Sequence, residues 1–246
     1  MSASHKAPLM VRCLAEALGT CLLVFVGTGT VVTALTLAHQ ARYEALVTTV
    51  IMVALANGII RFVTIVVIGH ISGAHINPAI TVSLVMIRRF PLVDALGYIL
   101  AQVVGALVGA GLVVGIMGTS ALTAAGLAGP RLGSTGLIQG LAIEAIGTAI
   151  LVVAFIATMI DVHAPVGWSA LTVGLALAGI TCFIWPATGA LVNPARAFAS
   201  DALIWVASVP VQWEVYALVY LAGPLIGGII AALLSNFVAP MSSERT

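Results

Sequence analysis

Long apolar stretches, broken by short polar or proline-containing segments, run the length of this chain. Residues 17–41 carry no charge, and with the preceding turn they predict a helix over about Val11–Leu37. Arg42 and Glu44 mark a short loop. A second helix is expected over about Leu46–Ile68, with Arg61 as its one charge. Gly69 to His75 then breaks the pattern, and Asn77-Pro78 opens a further apolar run that stops at Met86, before Arg88-Arg89. That run is about half the length of ~20 residues that a bilayer span requires. A third full helix is expected over about Leu92–Met117, followed by a Gly-rich loop with Pro130 and Arg131. A fourth covers about Leu137–Ile160 and a fifth about Trp168–Ile184, where Trp185-Pro186 are expected to end it. Asn193-Pro194 start a second short run to about Val206, and a sixth full helix covers about Trp213–Val238.

The order is two full helices, one short proline-started segment and one full helix, then the same again. Local sequence agrees. Ala15 to Thr20 matches Ile143 to Thr148, Asn77-Pro78-Ala79 matches Asn193-Pro194-Ala195, and Tyr98 to Gly105 matches Tyr220 to Gly227, at offsets of 128, 116 and 122 residues. The chain therefore reads as a single domain over 1–246 built from two copies of one unit, about 10–117 and 137–238. Each copy has three spans, an odd number, so the copies must face opposite ways. In inverted repeats of this kind, paired short segments point to the transport site.

Composition makes the membrane reading firm. Of 246 residues only 17 are charged (nine Lys or Arg, eight Asp or Glu), and 61% are hydrophobic. Soluble domains carry roughly 25% charged residues. Mean hydropathy is +1.21. A soluble globular enzyme, a disordered chain and a nucleic-acid binder are excluded on these figures. The 25 glycines, many inside apolar stretches, suit close helix approach. Cys13, Cys21 and Cys182 fit neither a disulfide framework nor a metal site and read as small buried hydrophobes. No metal or cofactor is expected. No cleavable signal is evident, because the apolar stretch after Arg12 exceeds a signal core.

Charge placement sets the expected orientation. Lys6, Arg12, Arg88, Arg89 and Arg245 lie on the side of the N-terminus, and Arg42 and Arg131 on the other. The positive-inside rule then puts both termini in the cytoplasm of an integral protein of the cell membrane. Thirteen of the 17 charges are assigned to ends and loops. Four lie within the membrane: Glu16, Glu144, Arg61 and Arg196.

Proline in the first helical turn sacrifices no hydrogen bond, so Asn77-Pro78 and Asn193-Pro194 read as starts of half-helices. Inverted symmetry brings their N-termini, with two positive dipole ends and two Asn amides, together at the membrane centre. The residue before proline avoids the α region. Non-helical backbone at that depth is tolerated only against protein or a water-filled cavity. The carbonyls from Gly73 through Ala74 to His75, and from Gly189 through Ala190 to Leu191, would form an acceptor ladder for a neutral solute.

The stretch Gly69 to Ala79, with Asn193-Pro194-Ala195-Arg196, resembles the twin signatures of the aquaporin and aquaglyceroporin (major intrinsic protein) family. The likeness covers about residues 10–238 and includes Ala101-Gln102, Gly105-Ala106 and Gly223-Pro224. It implies an all-α membrane protein: six transmembrane helices plus two re-entrant half-helices, assembled as a homotetramer in the lipid bilayer with one pore per subunit. It also implies that Glu16 and Glu144, with Gln102, brace the re-entrant loops; a proton relay is the other role open to those carboxylates. The resemblance places a selectivity filter at Asn57, Thr181, Ala190 and Arg196. Strict water channels of the family carry an aromatic and a His where Asn57 and Thr181 stand, and glycerol facilitators carry aromatics. Ala197 replaces the Asp that typical facilitators carry after the arginine. A wide, polar, non-aromatic filter follows, suited to water and small neutral polar solutes: ammonia, urea, small polyols or uncharged metalloid hydroxides.

Several residues have two readings. Arg196 is either pore lining or a capping arginine. Arg61 lies four residues after Asn57, on the same helix face, and is either a second pore arginine or a structural one paired within the protein. Trp185 is an interfacial anchor or a lid over the vestibule. His70 and His75 brace loops or sense pH. Cys182, about 100° round the helix from Thr181, points partly away from the pore. Tyr43, Trp205 and Trp213 read as interface aromatics. The alternatives to a passive channel are a solute-coupled transporter and an anion-conducting pore on the same fold. A membrane enzyme is disfavoured, because no Ser/His/Asp set, paired carboxylates or metal cluster is in evidence where a site could form.

Overall fold

The computed structural model describes residues 7–40, 45–124, 132–161, 163–206 and 210–238. Among these every regular element is helical. Full helices are α1 (Leu9–Gln40), α2 (Ala45–Ser72), α4 (Leu92–Ala124), α5 (Leu137–Ile160), α6 (Ser169–Thr188) and α8 (Trp213–Val238). Two short ones, α3 (Pro78–Met86) and α7 (Pro194–Val206), fill the expected half-helix positions. Six helices are long and apolar enough to cross a membrane. α1 packs on α2 and α4, α5 packs on α6 and α8, and α2 packs on α6 across the repeat boundary.

The bundle is apolar outside and polar within. Leu96, Leu100, Ile116, Phe183 and Phe237 are exposed, while Glu16, Asn57, Gln102, Glu144, Thr148 and Thr181 are fully buried. In water this would be unstable; in hydrocarbon the exposed faces cost nothing, and buried groups such as Glu16 and Glu144 are satisfied inside the bundle. Helices approach closely where glycine permits. A Cβ on Gly105 would press on the carbonyl of Ala17, and one on Gly227 on that of Ala145. These are symmetry-related contacts, one holding α4 to α1 and the other α8 to α5.

α2, α6 and α4 end differently from expectation, and α8 and α5 contain π-helical turns. α2 runs a turn beyond Ile68 to Ser72, and Gly73 then turns left-handed with φ 85°. α6 passes through Pro186 and ends at Thr188. Pro186 forfeits only the bond from its own position, and the turn that follows is closed by Gly189 N–H donating to Trp185 O at 2.9 Å. α4 reaches Ala124, but Gly118 (φ 75°, ψ 158°) breaks it one residue after the expected end. In α8, residues Tyr216–Ala222 form π-helical turns directly before Gly223-Pro224. Pro224 has no N–H to offer the preceding turn and its ring displaces that turn's carbonyl, which widens the helix there. The last five residues of α5, Ile156–Ile160, are also π-helical.

Arg12 Nη1 donates to Asp94 Oδ2 at 2.9 Å, which ties the start of α1 to the start of α4. Lys6, Arg42, Tyr43, Glu44, Pro130, Arg131 and Arg245 lie outside the described residues. Asp161, in the loop after α5, accepts from the backbone N–H and ring of His163, and these bonds hold its carboxyl below the usual carboxylate range.

Candidate functional site

Each half-helix is started by the chemistry its sequence announces. Asn77 is extended (φ −158°, ψ 120°), and its Oδ1 accepts from Ala79 N at 2.8 Å. Asn193 Oδ1 accepts from Ala195 N at 3.1 Å and Arg196 N at 3.3 Å. Pro78 and Pro194 occupy the next position, where no N–H is needed. The amide nitrogens then cross. Asn77 Nδ2 donates to Val192 O at 2.8 Å, and Asn193 Nδ2 donates to Ile76 O at 2.9 Å. The two loops are thereby joined directly at the centre of the bundle.

The loops before them share one conformation. Gly73, Ala74 and Ile76 have φ of 85°, 49° and 41°; Gly189, Ala190 and Val192 have 84°, 50° and 42°. Left-handed backbone at Ile76 and Val192, both β-branched, costs on the order of 1–3 kcal/mol each. The same twist turns successive N–H groups to one side, forming an anion-binding concavity. Glu16 fills the first: its Oε1 accepts from Ser72 Oγ (2.7 Å) and His75 N (2.9 Å), its Oε2 from Ile76 N (2.6 Å) and Gln102 Nε2 (2.8 Å). Glu144 fills the second: its Oε1 accepts from Thr188 Oγ1 (2.6 Å) and Leu191 N (3.2 Å), its Oε2 from Val192 N (2.7 Å). Tyr98 and Tyr220 complete the match, donating to Ser72 O and Thr188 O at 2.8 Å. Gln102 has no counterpart, since Pro224 stands at its repeat position; it also donates to Thr81 Oγ1 at 3.0 Å.

Between the loops lies a cavity of about 10 Å³, lined by Leu23, Leu151, Ile76, Val192, Asn77, Asn193, Leu177, Leu191, Arg61 and Arg196. That volume is about what one water molecule needs. Arg196 is 2% exposed, and its Nε has no partner. Asn57 is fully buried; its Nδ2 donates to Val53 O at 2.8 Å, and its Oδ1 has no partner. A Cβ on Gly27 would sit 2.7 Å from Asn57 Oδ1 and 3.5 Å from Arg196 Nη2, so these two groups converge over one glycine of α1. Thr181 is buried with its hydroxyl unpartnered. Ala190 is fully buried in the second loop, its N–H donating to Thr188 Oγ1.

Arg61 lines the central cavity, and its Nη1 donates to His75 O at 3.2 Å. His75 is buried among the rings of Phe90, Tyr98 and Phe155, with Nδ1 3.2 Å from Thr81 Oγ1, so it is held inside the loop; His70 is exposed. Trp185 is half-buried against Val31, Ala34 and Val53 of α1 and α2. It bridges the two repeats one turn beyond Thr181. Cys182 is exposed, and Cys13 and Cys21 are half-buried, so the expectation of buried cysteines fails for Cys182, which lies on the outward face of α6. Trp205 and Trp213 are exposed.

Three residues were not anticipated. The carbonyls of Ile76 and Val192 are the ones that receive the crossed Asn amides. The residue before each Asn could have been marked from the repeat, had the acceptor run been carried one position further. Asp201 is 4% exposed on α7, where a loop or end charge was expected. It lines a second cavity of about 420 Å³ with Leu132, Gln212, Tyr216 and Tyr220. α7 continues past it to Val206, which carries Asp201 inside the bundle.

Inverted repeats, two half-helices and joined Asn-capped loops around a narrow central cavity define a channel-type membrane protein. The sequence profile described as major intrinsic protein matches residues 3–235. A relative named "Probable aquaporin AqpM" from Archaeoglobus fulgidus is 35% identical over 245 residues, covering 94% of this chain and 98% of its own. Aquaporin-1 of Homo sapiens is 36% identical over 256 residues, covering 100% and 89%. The X-ray structure of the aquaglyceroporin from Plasmodium falciparum superposes with a TM-score of 0.81 at 26% identity, covering 95% and 98%. The chain belongs to the major intrinsic protein family: it is an integral membrane channel, not an enzyme.

Proposed function

We propose a passive pore for water and small neutral polar solutes (ammonia, urea, small polyols or uncharged metalloid hydroxides), selected by a polar filter at Asn57, Thr181, Ala190 and Arg196. The observation that carries this reading is the set of buried, unpartnered polar atoms there: Asn57 Oδ1, Thr181 Oγ1 and Arg196 Nε. Burying such atoms dry costs about 1–3 kcal/mol each. A file of hydrogen-bonding molecules removes that cost, and no aromatic wall excludes solutes bulkier than water. The Asn77-Pro78-Ala79 and Asn193-Pro194-Ala195 caps present the pore centre, and carbonyls of Gly73 to His75 and Gly189 to Leu191 offer acceptors along it. Glu16, Glu144 and Gln102 act as braces for the loops.

The central cavity is a second constriction. Water and ammonia fit its single-molecule size with least displacement of side chains, and polyols and metalloid hydroxides require Arg61 to swing aside. The pore works within a homotetramer, with both termini in the cytoplasm; the pairing of Arg12 with Asp94, near Arg88 and Arg89 in sequence, favours that charged face as the inner one. Stopped-flow shrinkage of vesicles in parallel gradients of impermeant osmolyte, glycerol, urea and boric acid tests the reading. Rapid water flux with urea or boric acid admitted is the expected result. Water flux with every solute excluded overturns the polar-filter reading, and no water flux overturns the pore.

A further inference from the structure

The inverted repeat supplies a standard for each position in the central cavity. At the 116-residue offset that relates Asn77 to Asn193, Ile76 corresponds to Val192 and Arg61 to Leu177, and all of these line the cavity. Leu23 and Leu151 pair at the 128-residue offset of the two Glu residues. The lining is thus a two-fold apolar sleeve capped by Asn. One lumen position that is leucine in the second half is arginine in the first.

Packing does not account for that arginine. Leu177 fills the equivalent space with no charge to desolvate, whereas a cation buried to 2% exposure costs several kcal/mol. Its protein contacts are few. Nη1 donates to His75 O at 3.2 Å, Cζ stands 5.8 Å from the Phe155 ring centroid, and Nε and Nη2 have no partner. No carboxylate lines the cavity with it. Glu16 and Glu144 act on Arg61 and Arg196 only through space, because their oxygens accept from Ser72, His75, Ile76 and Gln102 and from Thr188, Leu191 and Val192. Arg196 enters the same cavity from the other half, also with Nε unpartnered.

We propose that Arg61 is a second cation barrier, in series with Arg196 across the Asn77–Asn193 junction, so that either arginine alone excludes ions. The inference rests on the reading of the chain as a neutral-solute pore. A cation in this cavity meets fixed positive charge on both sides of the Asn pair, in a space too small to keep its hydration shell. Water meets unpartnered N–H donors at the same two places and exchanges hydrogen bonds with them. Removing one arginine leaves the other barrier intact.

The test uses full-length protein in vesicles: wild type, Arg61→Gln, Arg196→Val and the double variant. Each is checked for a monodisperse profile in detergent and assayed for osmotic shrinkage and for potassium and proton leak. Glutamine keeps a donor for His75 O without the charge; Arg61→Leu, the residue of the second repeat, serves if Arg61→Gln does not assemble. Osmotic shrinkage should persist in all four, at rates that differ because each substitution alters the pore lining. Wild type and both single variants should leak within about twofold of protein-free vesicles, and the double variant at least tenfold more. A double variant that leaks no more than Arg196→Val overturns the proposal, and so does an Arg61→Gln that alone leaks as much as the double. Absence of water flux in wild type would instead sink the pore reading.

Discussion

Asn77 Nδ2 donates a 2.8 Å hydrogen bond to the carbonyl of Val192, 115 residues further along the chain, while its Oδ1 caps its own half-helix. One side chain thus starts a helix and fastens the opposite loop. Substituting Asn77→Ser separates the two tasks, because serine caps helices about as well as asparagine but cannot reach across. The variant should fold with a loss of about 1 kcal/mol, a lowered melting temperature in detergent and reduced water permeability. Asn193→Ser, which frees Ile76 O, should behave the same way. Full water flux in both variants would mean that the crossed bonds do not hold the pore centre.

The loop carboxylates should be intolerant of neutral isosteres. Glu16 accepts four hydrogen bonds and Glu144 three, most of them from loop backbone or hydroxyl groups. A Gln at either place turns one acceptor into a donor that faces Ile76 N or Val192 N. Each such clash costs about 1–3 kcal/mol. Thermal melts of Glu16→Gln and Glu144→Gln should both fall by several degrees. A proton-relay role would show the opposite pattern, an unchanged melt with lost proton-linked flux.

Much of this arrangement was legible in the chain. Proline after asparagine, twice, at matched places in two repeats fixed the half-helices and their caps. The odd number of spans per repeat fixed the inversion that brings the caps together. What sequence could not settle were matters of rotation and rotamer. Trp185 has two readings in sequence, anchor or lid, because a pattern does not give the rotamer; the ring packs on α1 and α2, where α6 continues past Pro186. Asp201 counts in sequence with the charges of ends and loops although the short run reaches Val206, and only the rotation of α7 shows that it is buried. The acceptor role of the Ile76 and Val192 carbonyls depends on left-handed backbone that β-branched residues rarely adopt, and which only the waiting carboxylates make affordable.

Two glycines of α4, six residues apart, should respond oppositely to alanine. A Cβ on Gly105 runs into backbone of α1 at Ala17, which cannot give way, and one on Gly111 meets nothing within 4 Å. Gly111→Ala should therefore stabilise the helix by about 0.5–1 kcal/mol. Gly105→Ala should force α1 and α4 apart and lower folded yield sharply. Gly227→Ala, the repeat counterpart, should match Gly105→Ala. Gel-filtration yield and detergent melts of the three proteins decide the matter; equal stability of Gly105→Ala and Gly111→Ala would refute the close approach.

The filter can be narrowed from behind without touching a lining residue. Gly27 backs both Asn57 and Arg196, and a methyl there would stand 2.7 Å from Asn57 Oδ1. Contact that short is not sustained, so Gly27→Ala must push the Asn57 amide away from α1. Asn57 Nδ2 is tethered to Val53 O on its own helix, which leaves rotation of the carbonyl end as the easy response. If that end swings into the pore, urea and boric acid permeability should fall several-fold while water permeability falls less than twofold. Asn57→Phe supplies bulk at the same place directly and should give the same ranking of solutes. Parallel stopped-flow traces for the two variants give the answer. Should both leave the urea-to-water ratio at its wild-type value, Asn57 does not bound the pore, and the polar filter must lie elsewhere along the lumen.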